Sequence, residues 1–476
     1  MLEAFREHIE ATGLIPAGSR VLVGYSGGAD STCLLHLMHE SGFDVVAGHL
    51  HHSQREEADV EQTRCEQFCD SLGIPFATGK ADVPRMSADM KIGLEEAGRK
   101  ARYAFFQQAA FRLECNLIAT AHTQNDHVET ILLHLARGSG LTGLAGIPTH
   151  RENIIRPLLV FTREQTSQYC VERGFWFHDD PANSDVSFSR ARVRLRVIPE
   201  LQAINPAVME SITRLSNLAD EEDRFLNGMA AAALEQSELP LNGDLKFLTL
   251  DCEAAFDRGK LGTLPPVLFR RATRLAVQAM GSTLERDHLA QIELGVASMA
   301  NGAVTAEGGD VVVEWRDDSI HVRQLKPVEP FRYGLTIPGE TISDEFGWQF
   351  SAFETEATPS PAQSRASMST LLPMESIKGS LYFRTAQPGD QMKPLGFDGS
   401  RKLSDLLGEA RLTLAARARL PIVCDMVGPI WAPGVCLDQR MRLQEGTGRS
   451  ILLQFGPVHQ NQSHNKETGA VQTAYR

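Results

Sequence analysis

Six consecutive residues near the N-terminus have the types and the order that favour binding of an anion. The sequence SGGADS (26–31) follows the apolar run VLVGY (21–25), and apolar residues at helical spacing follow it. This order predicts a strand, a glycine turn and the start of a helix. Because the first N–H groups of a helix lack intrahelical partners and its dipole is positive there, we expect an anion to bind at this turn.

The residue types in the turn suggest separate roles. Gly27 and Gly28 let the backbone adopt positive φ and let an oxyanion approach closely, while Ser26 and Ser31 supply hydroxyl donors. Asp30 is the exception, because a carboxylate repels a phosphate unless a cation lies between them. We therefore predict a Mg²⁺ ion at Asp30. The predicted binding turn comprises Ser26, Gly27, Gly28, Ala29, Asp30 and Ser31.

A second candidate cluster lies in the segment ATAHTQNDHVET (119–130). Asp126 and Glu129 are three residues apart, so they share one face if this segment is helical. Both carboxylates could reach a metal ion or a basic group of a substrate, and Asp126 joins Asp30 as a predicted metal ligand. A solvated helix start, with Asp126 beside the N-terminal N–H groups, explains the same pattern without any chemistry.

A run of arginines closes the first 200 residues. Arg190 and Arg194 are four residues apart and would share a helical face, where they could orient a phosphate or a substrate. Arg192 and Arg196 would point elsewhere, toward a partner's phosphate backbone. A solvated helix face is the alternative interpretation of this run.

Elements of alternating type must position these clusters. Over residues 1–200, apolar strand-like runs alternate with helical patterns, which predicts a doubly wound parallel sheet of Rossmann-like α/β type. Ligands bind beyond the carboxyl ends of such strands. Three polar segments are predicted at those ends: 26–31 after the first strand, 49–52 after the second and 122–126 after the fourth. We expect them to converge on one edge of the sheet.

The turn itself resembles a known nucleotide-binding signature. It lacks the lysine of the Walker pattern and the spacing of the Rossmann glycines, but it is similar to the SGGxDS motif of the PP-loop ATP pyrophosphatases. These enzymes cleave ATP between the α- and β-phosphates and adenylate an oxygen of their substrate. The resemblance implies that ATP is a substrate.

Further segments narrow the resemblance to one family. SGGADS (26–31), HLHHSQR (49–55), LEEAGRKARY (94–103), the long segment 119–147, RPLL (156–159) and DDPANSDVSFSRARVR (179–194) occur in an order that resembles the tRNA(Ile)-lysidine synthetase family. Residues 384–443 resemble that family's C-terminal domain. The resemblance implies ATP-dependent ligation of free L-lysine to the wobble cytidine of an isoleucine tRNA with a CAU anticodon, through an adenylated cytidine.

Within this implied reaction, the candidate residues take specific roles. The turn would hold pyrophosphate, with Mg²⁺ on Asp30 and Asp126. The lysine amine must lose a proton before it attacks, and either His122 or Glu129 could accept that proton. The chain departs from the family pattern at Ala182, Ala191 and Gln391, which puts the roles of those three positions in doubt.

Two other functions are compatible with parts of the sequence. A PP-loop tRNA 2-thiolation enzyme would adenylate the same kind of base oxygen but deliver sulfur, and such enzymes generally need a paired cysteine motif that the chain lacks. A non-catalytic nucleotide- or RNA-binding relative would have no evident need for Asp30, Asp126 and Glu129 beside a phosphate site.

Composition sets broader bounds. The chain has 476 residues, 42% hydrophobic content and a net charge of −13, as in a soluble globular protein of several domains. The eight scattered cysteines and the lack of a signal peptide or long apolar run predict a cytoplasmic protein without a membrane segment. Residues 378–455 carry 11 Lys and Arg against 7 Asp and Glu, and this basic excess is compatible with contact to tRNA. The sequence is compatible with either a monomer or a homodimer.

Five segments are predicted from these patterns. A PP-loop catalytic domain covers 1–205, and a mainly helical middle domain that contacts tRNA covers 206–330, beginning with a long linking helix. A connecting segment with a flexible loop covers 331–377, a small basic α+β domain covers 378–455, and a mobile tail covers 456–476.

Overall fold

The computed structural model describes residues 1–51, 58–178, 186, 188–298, 300–356, 364–444 and 448–458, with only the backbone at 58 and 59. The chain folds into two compact units, which divide between Arg224 and Phe225. Most of the predicted tail, residues 459–476, and the centre of the predicted flexible loop, residues 357–363, lie outside the described residues.

The first unit alternates strands and helices, as its sequence predicts. Its strands are β1 (Arg20–Gly24), β2 (Asp44–His51), β3 (Phe76–Lys80), β4 (Leu117–Ala119), β5 (His150–Arg151) and β6 (Ile154–Ile155). Its helices are α1 (Leu2–Thr12), α2 (Ala29–Glu40), α3 (Ala58–Leu72), α4 (Val83–Met90), α5 (Leu94–Arg112), α6 (Gln124–Ala136), α7 (Leu141–Leu144), α8 (Arg163–Glu172), α9 (Ser189–Arg192) and α10 (Ile198–Ile204). A π-helical segment, Val193–Val197, joins α9 to α10.

The strands of this unit form a sheet in the order β3-β2-β1-β4-β6-β5. Pairing is parallel from β3 to β6, and β5 runs antiparallel at the edge. Since β1 pairs with both β2 and β4, the direction of chain winding reverses between β1 and β4. A crevice opens beyond the carboxyl ends of strands at such a reversal, so the loops after β1 and β4 flank the expected binding position. The predicted doubly wound parallel sheet is confirmed.

Burial of β1 on both faces explains its sequence. Val21, Leu22 and Val23 are fully buried, with Val21 and Val23 packed in one hydrophobic core and Leu22 in another. A central parallel strand covered by helices on both sides is apolar throughout rather than alternating. The same packing fixes the carboxyl end of β1, from which the turn begins.

The second unit begins within a long helix. This helix, α11 (Val208–Ser237), starts in the first unit and ends in the second. The unit's other helices are α12 (Arg258–Gly262), α13 (Pro266–Ala279), α14 (Arg286–Ala297), α15 (Leu403–Glu409) and α16 (Leu414–Arg419). Its first strands are β7 (Glu253–Asp257), β8 (Gly302–Thr305), β9 (Val311–Arg316) and β10 (Ser319–Gln324), in the order β7-β10-β9-β8.

The remaining strands form the C-terminal part of this unit. They are β11 (Arg332–Gly334), β12 (Gly339–Ser343), β13 (Trp348–Glu356), β14 (Ser369–Pro373), β15 (Tyr382–Arg384), β16 (Gln391–Met392), β17 (Arg401–Lys402), β18 (Ile422–Cys424), β19 (Pro429–Ala432), β20 (Cys436–Leu437) and β21 (Arg449–Pro457). One sheet has the order β12-β13-β21-β14, and another has the order β11-β15-β18-β19-β20.

The prediction of a connecting segment at 331–377 is wrong for its strands. Strand β13 pairs along its whole length with β21, from Trp348 opposite Pro457 to Glu356 opposite Arg449, and β14 pairs with the other edge of β21. Trp348 and Phe350 are fully buried in the same core as Phe383. This stretch is therefore part of the C-terminal body, because apolar side chains bring it to a strand about 100 residues further along the chain.

Among the described residues, no helix has the length and apolar character needed to cross a lipid bilayer.

Candidate active site

The turn after β1 has the geometry that its sequence predicts. Gly28 is the N-cap of α2, and Gly27 has a φ of 82°, a conformation that L side chains rarely adopt. A Cβ atom at Gly27 would also lie 2.9 Å from Cys65 Sγ. The hydroxyl oxygens of Ser26 and Ser31 are 3.1 Å apart, and Ser31 Oγ donates to the Gly28 carbonyl at 3.0 Å. The two predicted hydroxyl donors thus brace the turn from within.

A segment far along the chain supports this turn from outside. The His178 N–H donates to the Gly27 carbonyl at 2.8 Å, and Gly28 and His178 form an isolated parallel bridge. The His178 ring lies 3.3 Å from a carboxylate oxygen of Glu61. These contacts hold the backbone of the turn in place. No sequence pattern indicates them.

Asp30 lies in the first turn of α2 with its carboxylate engaged on both oxygens. Thr166 Oγ1 donates to Oδ1, and Arg163 Nε donates to Oδ2 at 3.4 Å. Burial raises the pKa of the Asp30 carboxyl above its ordinary value, against the opposing effects of Thr166 and Arg163. The sequence predicts a cation beside Asp30, and in this structure the Arg163 guanidinium is in that position.

Arg163 is the residue that joins the two predicted clusters. Its guanidinium contacts Asp30, contacts Asp126 Oδ1 at 2.9 Å and lies 3.6 Å from Glu129 Oε1. Its backbone N–H donates to Asn125 Oδ1 at 2.9 Å, which holds the start of α8 against the start of α6. Burial would lower the pKa of Arg163, but the three carboxylates raise it above its ordinary value.

Asp126 and Glu129 share one face of α6, as their spacing predicts. Asp126 Oδ2 accepts from the N–H and the hydroxyl of Thr123, both at 2.9 Å, so the residue also caps the helix. Burial alone would raise the pKa of Asp126, yet Arg163, His122 and the Thr123 hydrogen bonds hold it below its ordinary value. Asp126 is therefore ionised at neutral pH.

Glu129 is a fully buried carboxylate in this cluster. Arg194 donates to it with two nitrogens, Nε to Oε1 at 2.6 Å and Nη2 to Oε2 at 3.0 Å. Arg190 Nη2 donates to Thr130 Oγ1 on the same helix at 3.2 Å. The two arginines thus face one side of α6, as their spacing predicts, and these contacts are to protein groups.

His122 precedes α6 and contacts the Thr120 hydroxyl through Nδ1 at 3.0 Å. Burial lowers its pKa to about 4, and the nearby Arg156 and Arg190 act in the same direction while Asp126 opposes them. The imidazole is therefore neutral at neutral pH and able to accept a proton.

The lowered pKa of His122 predicts a dependence of stability on acid. Unfolding restores the imidazole to a pKa near 6.5, so the unfolded chain binds the proton more strongly between pH 6.5 and 4. The stabilisation is present above pH 6.5 and is lost as the pH falls toward 4. When the pH falls from 7 to 5, the free energy of unfolding of His122→Asn should therefore decrease by roughly 1–2 kcal/mol less than that of the unsubstituted protein. Urea unfolding at both pH values measures this, and equal losses would contradict the assignment.

The histidines predicted beyond the second strand lie within it instead. Strand β2 extends to His51, and both His49 and His51 are buried there. His49 Nδ1 contacts the Tyr25 carbonyl at 2.9 Å, so it helps to fix the end of β1 rather than facing the crevice. His52 lies outside the described residues.

Sequence reasoning missed Arg163 and Thr166, which hold Asp30. A local signal for their helix was present: Thr162 and Gln165 form a capping box at the start of α8. That signal locates the helix but not its partner, because Asp30 and Arg163 are 133 residues apart.

The donor set for a magnesium ion can be judged from these contacts. Among the described residues, no group of three or more His, Cys, Asp or Glu side chains is arranged around a metal position. Mg²⁺ at nucleotide sites is usually held by one or two carboxylates plus phosphate oxygens. Asp30 and Asp126 provide such a pair, and both already contact one cationic group. The residues therefore fit the ion in number and type.

Comparison with known proteins gives the class of the protein first. Residues 2–201 match the family model described as a PP-loop domain, and residues 381–453 match the one described as the TilS substrate C-terminal domain. Together with the turn after β1, the first match places the chain among the PP-loop proteins, which use ATP.

The full-length relatives are more specific. The "tRNA(Ile)-lysidine synthase" of Dehalococcoides mccartyi is 30% identical, and the match covers 96% of this chain and 99% of the relative. The proteins of that name from Symbiobacterium thermophilum and Geobacillus kaustophilus are each 30% identical, over 95% and 96% of this chain and 97% and 99% of the relatives. The chain belongs to the tRNA(Ile)-lysidine synthase family.

Proposed function

We infer that the protein uses ATP to ligate lysine to carbon 2 of the wobble cytidine of an isoleucine tRNA with a CAU anticodon, which changes codon reading from AUG to AUA. One observation supports this inference above all: Arg163 connects the anion-binding turn to a cluster of acidic and basic side chains. The relatives named above also match the chain over nearly its full length. The cytidine C2 oxygen attacks the α-phosphorus of ATP, pyrophosphate leaves, and the lysine amine then displaces AMP.

The turn after β1 is suited to the departing pyrophosphate. N–H groups at the start of α2 and the conformation of Gly27 leave the backbone open to phosphate oxygens. We propose that Ser26–Ser31 bind the pyrophosphate, and that Asp30 and Asp126 hold Mg²⁺, which supplies neutralising charge when it is bound. Arg190 of α9 and Arg194 of the π-helical segment, which both contact α6, are proposed to orient the substrate.

The second step needs a group for the amine and a group for its proton. Asp126 and Glu129, which both contact Arg163, are the carboxylates that we propose attract the ammonium group. His122 is neutral at neutral pH, and its pKa of about 4 makes the imidazole a weak base. Both Glu129 oxygens accept from Arg194, so we assign the proton acceptor to His122 rather than to Glu129.

A 2-thiolation enzyme is the alternative that shares the first step. Delivery of sulfur generally requires a reactive cysteine pair near the site. All eight cysteines are buried, and burial raises the pKa of the Cys65 and Cys69 thiols to about 12 each. Thiols held in that form are poor nucleophiles, which favours the ligase.

The C-terminal part is proposed to bind tRNA through exposed cations. Lys393 and Lys402 are exposed beside the short β16–β17 pair, where Gln391 is opposite Lys402. We expect Lys393→Gln combined with Lys402→Gln to weaken tRNA binding about tenfold and to reduce the slope of log affinity against log salt by about 1–2. Filter binding at several salt concentrations measures both quantities. Unchanged affinity and slope would contradict tRNA contact at this surface.

Deletion of residues 378–455 is not a suitable test of the same point. Removal of β21 would uncover β13 and a core that includes Trp348 and Phe455. Loss of tRNA binding in such a truncated chain would report unfolding, whereas the lysine substitutions leave the core intact.

Transfer of labelled lysine tests the proposed reaction. The protein is incubated with ATP, Mg²⁺, radiolabelled L-lysine and an isoleucine tRNA transcript with a CAU anticodon. We expect label to enter the tRNA with release of one AMP per lysine, and a methionine tRNA with the same anticodon to react poorly. Label that stays in solution while ATP is cleaved would favour the thiolation enzyme, and uncleaved ATP would indicate a binding protein.

We also propose that the protein works in the cytoplasm, where its tRNA substrate is found. The homodimer left open by the sequence is tested by sedimentation equilibrium, in which a dimer would have twice the chain mass of 52.3 kDa.

A further inference from the structure

Protein groups already contact every oxygen of the three carboxylates in this site. Asp30, Asp126 and Glu129 present six carboxylate oxygens, and each has a partner within the protein. An ammonium group that binds to these carboxylates therefore competes with the protein groups that now contact them.

Arg163 is the partner that a ligand can displace most easily. Its guanidinium contacts one oxygen of each carboxylate. The contact with Asp126 is short, at 2.9 Å, whereas those with Asp30 and Glu129 are longer and weaker, at 3.4 Å and 3.6 Å. Arg194, by contrast, forms two short hydrogen bonds to Glu129 alone. Paired hydrogen bonds of that kind are the strong ones. The Thr123 contacts to Asp126 form part of the helix cap and are equally fixed.

Charge balance gives the consequence of displacement. Three carboxylates and two guanidinium groups leave the cluster with one net negative charge. A second cation beside Arg163 would compete with it for the same carboxylates. Removal of Arg163 leaves two net negative charges, and a bound nucleotide adds more, so the site then has the charge to hold both the proposed Mg²⁺ and one ammonium group. Arg163 thus occupies the electrostatic position of a cationic substrate.

The anion-binding turn provides a reason for Arg163 to move. Its Nε contacts Asp30, which lies in the first turn of α2, at the end where phosphate is expected. A nucleotide bound there places several negative charges close to the guanidinium. Because phosphate and carboxylate are alternative partners for the same planar group, the nucleotide draws Arg163 away from Asp126 and Glu129.

We propose that Arg163 is a specificity-determining residue that excludes lysine from the carboxylates of α6 until ATP has bound. The inference rests on the proposed function, since it takes lysine as the cationic substrate. It makes binding of the two ligands cooperative: the nucleotide increases the affinity for lysine, and lysine increases the affinity for the nucleotide by the same factor.

Equilibrium dialysis of radiolabelled L-lysine tests the proposal with the full chain. Binding is measured at constant Mg²⁺, with and without an ATP analogue that carries a methylene group between the α- and β-phosphorus atoms. We expect the analogue to tighten lysine binding to the unsubstituted protein at least about tenfold. Arg163→Gln should bind lysine at least about tenfold more tightly than the unsubstituted protein when no nucleotide is present, and the analogue should then have little effect.

Two further variants separate charge from structure. Arg163→Lys keeps a cation and is expected to retain the dependence on nucleotide. Arg192→Gln is the matched control, because Arg192 is exposed on the neighbouring α9 and its Nε donates only to the Val186 carbonyl among the described residues. It should bind lysine as the unsubstituted protein does. Thermal melting identifies any variant that fails to fold.

The outcomes distinguish this proposal from the proposed function. Equal lysine affinity with and without the analogue in the unsubstituted protein would overturn the role of Arg163, as would Arg163→Gln binding no more tightly than Arg192→Gln. If labelled lysine still enters tRNA in that case, the ligase function stands and only the role of Arg163 fails. If no lysine enters tRNA, the proposed function fails as well.

Discussion

Replacement of Asp30 by alanine is expected to reduce ATP-dependent release of pyrophosphate by about 1,000-fold, because it removes a proposed metal ligand from the start of α2. Loss of several kcal/mol of transition-state stabilisation corresponds to this factor at about 1.4 kcal/mol for each tenfold change. The carboxylate is partly exposed, and its hydrogen bonds to the described residues are to side chains of α8, so the fold should persist. A pyrophosphate-release assay with tRNA and lysine present measures the effect.

Asp44→Ala is the control for this experiment. Asp44 is exposed at the start of β2, where it pairs loosely with Arg20 at 3.7 Å. Its replacement removes the same charge from the same unit and should leave turnover within about twofold, as expected for an exposed pair. Asp30→Ala with turnover close to that of Asp44→Ala would show that Asp30 does not hold the metal.

Glu129→Gln is expected to destabilise α6 by about 3–5 kcal/mol, because it keeps the shape of the side chain but leaves Arg194 and Arg163 without their buried carboxylate. Hydrogen exchange of peptides from α6 gives this quantity as a loss of protection, and a loss of 3 kcal/mol corresponds to more than a hundredfold faster exchange. Lysine transfer to tRNA should be lost at the same time.

An exposed pair and a double variant test the cause of this effect. Asp89→Asn removes a carboxylate that pairs with Arg85 at the surface of α4, and exchange from its helix should change little. Combining Glu129→Gln with Arg194→Met removes one of the uncompensated charges and should restore part of the protection. Protection of α6 in Glu129→Gln equal to that in the unsubstituted protein would contradict a buried, charge-dependent contact.

The features that sequence could predict are those set by neighbouring residues. The turn at 26–31 depends on two glycines between an apolar strand and a helix, and the shared face of Asp126 and Glu129 depends only on helical periodicity. Both predictions are confirmed by the structure. The roles of these residues in catalysis and metal binding stay predictions until the substitutions above are measured.

The features that sequence could not predict depend on distant partners. Arg163 and Thr166 meet Asp30 only because α8 packs against α2, which no local pattern specifies. The polar stretch at 355–370 predicts a connecting segment, whereas β13 pairs with β21, about 100 residues further along the chain. In both places the long-range packing of apolar surfaces decides which residues meet.

Mass analysis of the reacted tRNA tests directly whether the protein attaches lysine to the wobble cytidine. After incubation with ATP, Mg²⁺, L-lysine and the isoleucine tRNA transcript with a CAU anticodon, the tRNA is cut with a base-specific ribonuclease, and the fragment that contains the anticodon is sequenced by mass spectrometry. We expect one cytidine per tRNA whose mass has increased by that of lysine less one water, located at the wobble position. A cytidine that has gained sulfur, or a wobble cytidine of unchanged mass while ATP is consumed, would contradict it.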